Sequence, residues 1–356
     1  MSQRPRDATE IELCCIWQTV LREYVSDIDL NFFVDLGGTS GAAVRVIIEI
    51  QRVFGVHLKI SELVSVPTIR MLANRLAGNG LQGRSSPIVS IQKGADETPL
   101  YLFHPLPGTL VKYCDLIRSI GSAHTIWGLQ SFGIEQGTVP LDTIEEMADS
   151  YASHMLKEHP GGPWRLAGYS MGGNLAVEVA RRLDQKGEDI DLVCVLDSGL
   201  SAIDTDIEPV DVDLVRTWSI YRLAHTMLDL DFATEVLDGM PYPRQIEEVV
   251  KRGRNSGALA NDFHIEQFLR FVDVRVRNYL AIVRYQPEGF YRGSMVLIRS
   301  SGAGSQDQFN GWAGSVGSIE LHEIPGDHFS MMYPPGVQRV AAIIRSKLLR
   351  EGLSDV

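Results

Sequence analysis

The chain has 356 residues, 44% hydrophobic and 22% charged, with a formal net charge of −12. That is the make-up of a globular protein of about two domains, and the acidic balance argues against a nucleic-acid backbone or an anionic membrane surface as partner. No apolar run reaches the ~18 residues of a membrane span, and the opening "MSQRPRDATEIE" lacks the apolar core of a secretion signal. The four cysteines, without regular spacing, form neither a disulfide framework nor a zinc site. A reducing, cytoplasmic setting without a metal is expected.

In chain order, Thr9 to Leu76 reads as short amphipathic helices. "TEIELCCIWQTVLRE" carries a stripe in Ile11, Cys15, Trp17 and Val20–Leu21. From Ser40, Ala43, Ile47, Ile50 and Phe54 recur at three- and four-residue steps. "TIRMLANRL" starts another helix just after Pro67. No strand pattern occurs here, so the segment is a small helical bundle. "AGNGLQGRSSP" follows, rich in Gly and Ser, and reads as a flexible linker over 78–87.

From Ile88 short apolar runs alternate with helical patterns. "PLYLFHP", "HTIWGLQ", "WRLAG", "DLVCVLD" and "GSMVLIRS" read as strands, and "TIEEMADSYASHMLKEH" and "NLAVEVARRLDQKG" as helices between them. This alternation predicts a parallel sheet covered by helices on both faces. Between Gly199 and Gln286 the pattern turns helical without a clear strand, as an insertion between two sheet strands would.

Two serines stand at helix mouths behind glycine. "DLGGTS" reads by itself as a turn with Ser40 as helix N-cap. A phosphate esterified to Ser40 would sit at the positive helix end. "GYSMGG" spells G-x-S-x-G over Gly168, Ser170 and Gly172, between a strand-like and a helical run. A serine on so sharp a turn needs small neighbours two residues away, where strand and helix crowd. Its hydroxyl needs a base, and the base an orienting carboxylate.

The expected chain order is serine, acid, histidine, each at a strand's C-terminal end. Asp197 ends "DLVCVLD", and His328 lies in "IELHEIPGDHFSMM" after the last strand run. His104 in "FHP" is the main competitor as base, although it precedes the serine. Asp327 is the weaker candidate acid, and His322 sits within the strand pattern as a structural residue. Backbone donors for a tetrahedral intermediate are expected at the N–H of Met171 and, on the loop "YLFHPLPGT", of Leu106. Neither proline of that loop has an N–H to give.

"FFVDLGGTS" resembles the 4′-phosphopantetheine attachment motif of acyl and peptidyl carrier domains. "PWRLAGYSMGGNLA", "VLDS" and "GDHFSMM" resemble a type I thioesterase of the α/β-hydrolase family. Together, over nearly the whole chain, they resemble the C-terminal carrier–thioesterase pair of a nonribosomal peptide synthetase. The resemblance implies a small four-helix carrier bundle over 1–77, a linker over 78–87, and an α/β-hydrolase domain over 88–356 whose helical lid spans about 199–286. It makes Ser40 the bearer of covalent 4′-phosphopantetheine, Ser170, Asp197 and His328 the catalytic triad, and Leu106 and Met171 the oxyanion donors. It implies an acyl or peptidyl substrate, a phosphopantetheinyl transferase, and upstream condensation and adenylation modules. The implied activity is thioester release by hydrolysis or macrocyclisation, ending nonribosomal peptide or hybrid polyketide assembly. A free-standing esterase or lipase-like hydrolase, release by oligomerisation, and a scaffold that only docks partners are the alternatives. One departure stands out: Gly41 and Ala42 follow the carrier serine, where the family commonly has a bulky apolar residue.

Overall fold

The computed structural model describes residues 3–56, 58–77, 86–134, 137–159, 161–200, 210–228, 230–256, 265–302 and 307–349. By packing, the chain forms two compact units: Met1–Ser85 with Pro209–Val276, and Ser86–Glu208 with Arg277–Val356. Most of the Gly/Ser segment 78–87 lies outside the described residues.

The first unit begins with four helices, α1 (Ala8–Leu21), α2 (Ser40–Phe54), α3 (Ile60–Ser65) and α4 (Ile69–Ala77). Leu13, Trp17, Ile28, Phe32, Ile47, Ile50, Leu63, Ile69 and Leu72 form their buried centre. The buried arc of α1 is Glu10, Leu13, Cys14, Ile16 and Trp17, with Glu10, Leu13, Cys14 and Trp17 at three- and four-residue steps. Cys15, expected on that stripe, is exposed. The expectation missed because the arc starts at a carboxylate. Glu10 is almost fully buried, and its oxygens take the backbone N–H and guanidinium of Arg6, which removes the cost of an unpaired buried charge. The same unit contains α8 (Val212–Leu228), α9 (Tyr242–Asn255) and most of α10 (Ile265–Arg284). α8 packs on α2 and on α9, and Gly41 and Ala42 are buried in α2's first turn. Among the described residues of 199–286 there is no strand, as the pattern predicted.

The second unit is a seven-stranded sheet in the order β1-β3-β2-β4-β5-β6-β7. Its strands are β1 (Ile88–Gln92), β2 (Leu100–Phe103), β3 (Ile126–Leu129), β4 (Trp164–Tyr169), β5 (Ile190–Leu196), β6 (Tyr291–Ser300) and β7 (Val316–Ile324). All neighbours run parallel except β1, which pairs antiparallel with β3 at the edge. β1 was not expected as a strand; it is a five-residue edge element buried mainly at Val89, too weakly patterned to stand out. The central β4 is buried along its whole length, hence its unbroken apolar run. α6 (Ile144–Glu158) and α7 (Met171–Gln185) pack on one face through Met147, Tyr151, Leu175 and Val179. α5 (Cys114–Ile120) and α11 (Gly336–Leu348) pack on the other through Leu116, Ile117, Val340 and Ile344. The doubly covered sheet puts the C-terminal ends of β2, β4, β5 and β6 side by side, which is where ligands bind in such folds.

Candidate active site

Ser170 occupies the junction of β4 and α7 with φ 57° and ψ −131°. A side chain is rarely held there unless the surroundings impose it. The surroundings are tight. A Cβ on Gly168 would lie 1.9 Å from the carbonyl oxygen of Gly172, and one on Gly172 would lie 2.3 Å from that of Phe103. Only glycine lets the first turn of α7 press on the ends of β4 and β2. The turn lifts Ser170, half-buried, above the sheet.

His328 reaches it from the loop after β7. Its Nε2 stands 3.2 Å from Ser170 Oγ, and its Nδ1 2.8 Å from Asp197 Oδ2. With Nδ1 protonated toward the carboxylate, Nε2 is left to accept the serine proton, the arrangement general-base catalysis requires. The imidazole lies over the Tyr169 ring at 4.8 Å and 23°. The Tyr169 hydroxyl donates to the His328 carbonyl at 2.6 Å. Ring and backbone of the histidine are therefore both held by the residue before the serine.

Asp197 follows β5 in a left-handed conformation, φ 47°. Burial pushes its carboxyl up, but the His328 imidazole and the Ser300 amide and hydroxyl outweigh this and leave it below the ordinary carboxylate value. Ser300, at the end of β6, donates its N–H to Oδ1 at 2.7 Å and its hydroxyl to Oδ2 at 3.1 Å. The carboxylate stays charged because its lone pairs are occupied.

The competing candidates sit elsewhere. His104 is fully buried, its Nε2 2.8 Å from the Tyr151 hydroxyl and its Nδ1 3.0 Å from the Pro105 carbonyl. Burial lowers it to about 4, so at neutral pH it is an uncharged structural group. Asp327 is exposed and accepts the N–H groups of Phe329 and Ser330, shaping the His328 loop. His322 pairs with Glu320 along β7. Burial pushes the thiols of Cys114 and Cys194 up to about 12, which takes them out of nucleophilic chemistry. No group of His, Cys, Asp and Glu among the described residues could hold a metal ion.

Met171 is the first residue of α7, so the helix offers its N–H no acceptor. Leu106 follows β2 by three residues, where the Gly172 contact brings that strand's end against the first turn of α7. Three residues were missed from sequence: Ser300, Tyr169 and Tyr113. The Tyr113 hydroxyl donates to Phe103 O at 2.5 Å and accepts the Tyr169 N–H at 2.8 Å, tying β2 to β4. The hint for Ser300 was its position at the end of the run "GSMVLIRS"; nothing in the sequence marked the tyrosines.

In the first unit, Thr39 rather than Ser40 is the N-cap of α2; its hydroxyl accepts the Ala42 N–H at 3.2 Å. Ser40 is the first helical residue, one position inside, and its side chain lies outside the described structure. The two glycines before it differ in purpose. Gly37 has φ +65°, while a Cβ on Gly38 would lie 2.3 Å from the buried Phe32 ring.

Two family models match the chain: a phosphopantetheine attachment site over residues 12–76 and a thioesterase domain over residues 98–214. The chain carries a phosphopantetheine carrier domain followed by a thioesterase domain. Carrier and thioesterase together are 27% identical over 355 residues to the dimodular nonribosomal peptide synthase of Bacillus subtilis (strain 168), covering 97% of this chain and 14% of that protein. A crystal structure of holo-AB3403, a four-domain nonribosomal peptide synthetase bound to AMP and glycine, superposes with TM-score 0.67 at 28% identity, covering 97% of this chain and 26% of that one. The Vlm2 thioesterase domain shares the fold, with TM-score 0.52 at 21% identity over 73% of this chain and 96% of that one. The chain spans well under two thirds of the length of the synthetases it matches. No helix of the described residues is long and apolar enough to cross a membrane.

Proposed function

We propose that this chain ends the assembly of a nonribosomal peptide by releasing it from its own carrier domain. A phosphopantetheinyl transferase attaches 4′-phosphopantetheine to Ser40. Upstream condensation and adenylation modules then load an acyl or peptidyl chain on its thiol. The supporting observation is the unbroken run of hydrogen bonds from Ser170 through His328 to Asp197, in a thioesterase domain that follows a carrier domain.

In this reading residues 1–77 are the carrier, 78–87 the tether and 88–356 the thioesterase, and the segment 199–286 takes the part of a lid. His328 removes the Ser170 proton as Oγ attacks the thioester carbon. The carbonyl oxygen becomes an oxyanion held by the N–H groups of Leu106 and Met171. His328 returns the proton to the departing thiol, leaving acyl-Ser170. Water, or an amine or hydroxyl of the chain itself, then attacks with His328 again as base. Water gives a free acid; internal attack gives a macrocycle. The pantetheine thiol and the four unpaired cysteines suit a reducing cytoplasm.

The test uses mass spectrometry. Coenzyme A and a phosphopantetheinyl transferase are expected to add one phosphopantetheine to Ser40. A fluorophosphonate is expected to label Ser170, and Ser170→Ala to abolish both labelling and release. Modification at Ser40 without labelling at Ser170 would refute release by this thioesterase.

A further inference from the structure

The Leu106 N–H belongs to the peptide joining Pro105 and Leu106. That bond is not among the chain's cis peptides, so its carbonyl and N–H point in opposite directions. The Pro105 carbonyl is taken by two donors, the Gly108 N–H at 2.8 Å and Nδ1 of His104 at 3.0 Å. A carbonyl can only accept, which puts the proton of the neutral His104 on Nδ1 and leaves Nε2 facing the Tyr151 hydroxyl at 2.8 Å. The carbonyl of Leu106 itself accepts from Nδ2 of Asn278 at 3.0 Å. The peptides on both sides of the Leu106 α-carbon are thus clamped, and the N–H between them cannot turn.

Asn278 comes from α10, 172 residues away in sequence, and is fully buried. Its Oδ1 has no hydrogen-bond partner among the described residues. An unsatisfied buried amide oxygen destabilises a fold, and an apolar side chain of similar size would avoid the penalty. Packing does not explain an asparagine here; its bond to the Leu106 carbonyl does.

We propose that Asn278 is a positioning residue for the reaction. With His104, it aims the Leu106 N–H at the oxyanion formed on acylation of Ser170. It touches no reacting atom and acts through the Leu106 backbone. The inference rests on the thioesterase reading above and adds to it the device that holds one of its two donors.

Hydrolysis of hexanoyl-N-acetylcysteamine thioester by the full chain tests this. Phenylboronic acid, which forms a tetrahedral adduct on an active serine, serves as inhibitor. In Asn278→Leu, kcat is expected to fall about 10–100-fold with KM within about twofold, while melting temperature holds or rises. The boronate inhibition constant should weaken by the same factor as kcat, because only the tetrahedral state uses the donor. Asn278→Asp, of the same shape but without the donor when ionised, should show the same split if the leucine variant does not fold. A folded variant with kcat within threefold of wild type would overturn the inference while leaving the thioesterase reading standing. So would a loss shared equally by KM. A wild-type chain that neither hydrolyses the thioester nor labels at Ser170 would remove both.

Discussion

At Ser170 the backbone angles, the stacked Tyr169 and the His328 carbonyl form one assembly: the residue before Ser170 holds the histidine that reaches the Ser170 hydroxyl. The two histidines considered as base sit in opposite environments. His328 keeps about a third of its side chain in solvent and touches a carboxylate; His104 is sealed, and its nearest partners are a hydroxyl and a carbonyl. That difference yields a pH prediction. The folded His104 titrates at about 4, below the ordinary 6.5, so between those values the unfolded chain binds a proton that the folded chain refuses. Its contribution to stability is complete above pH 6.5 and is lost as pH falls through about 4. Asp197, lowered from 3.8, loses its contribution only at still lower pH. Denaturant unfolding at pH 4.5, 5.5 and 6.5 should therefore show stability rising with pH. His104→Phe should flatten that rise by close to one proton, about 1.4 kcal/mol per pH unit at most. An unchanged slope would show that His104 charges freely in the folded state.

At the scale of elements, the site depends on how closely α7 approaches two strand ends. The added Cβ of Gly172→Ala would meet backbone oxygen of β2, which cannot swing aside as a side chain could. The helix would have to move, at a cost of about 1–3 kcal/mol, and Ser170 with it. Calorimetry should show a lowered melting temperature, and fluorophosphonate labelling of Ser170 should drop at least tenfold. A variant that melts lower but labels at the wild-type rate would show that the elbow tolerates a shifted helix. Elements were legible in the sequence where burial repeats with a simple period. β4 and β5 were plain because both faces are covered, and α2 because Ala43, Ile47 and Ile50 fall on one side. α1 was misread because a paired carboxylate starts its buried arc, and β1 was overlooked because a sheet edge buries few of its residues.

At the scale of the whole chain, a carrier and the thioesterase proposed to unload it share one polypeptide. Sharing one chain would make their encounter intramolecular, at an effective concentration set by the length of the segment between them. Release from acyl-pantetheine on Ser40 should then be first order, with a rate constant unchanged within about twofold when protein concentration rises tenfold. Single-turnover measurements by intact-protein mass spectrometry would read this. A rate constant proportional to concentration would mean that one chain unloads another.

The amino-acid sequence by itself determined the helical start of the chain, the strand–helix alternation after it and the placing of Ser170, Asp197 and His328 each just after a strand. These are local matters: periodicity follows from which side of an element meets the core, and G-x-S-x-G from crowding within a few residues. Only the tertiary structure decided that Thr39 caps the helix of Ser40, that His104 is sealed away, and that Ser300 meets Asp197, Tyr169 meets His328, Tyr113 ties β2 to β4 and Asn278 meets Leu106. Each of those roles depends on a partner brought close by packing, as when Asn278 meets a carbonyl 172 residues distant, and no local pattern encodes such a meeting.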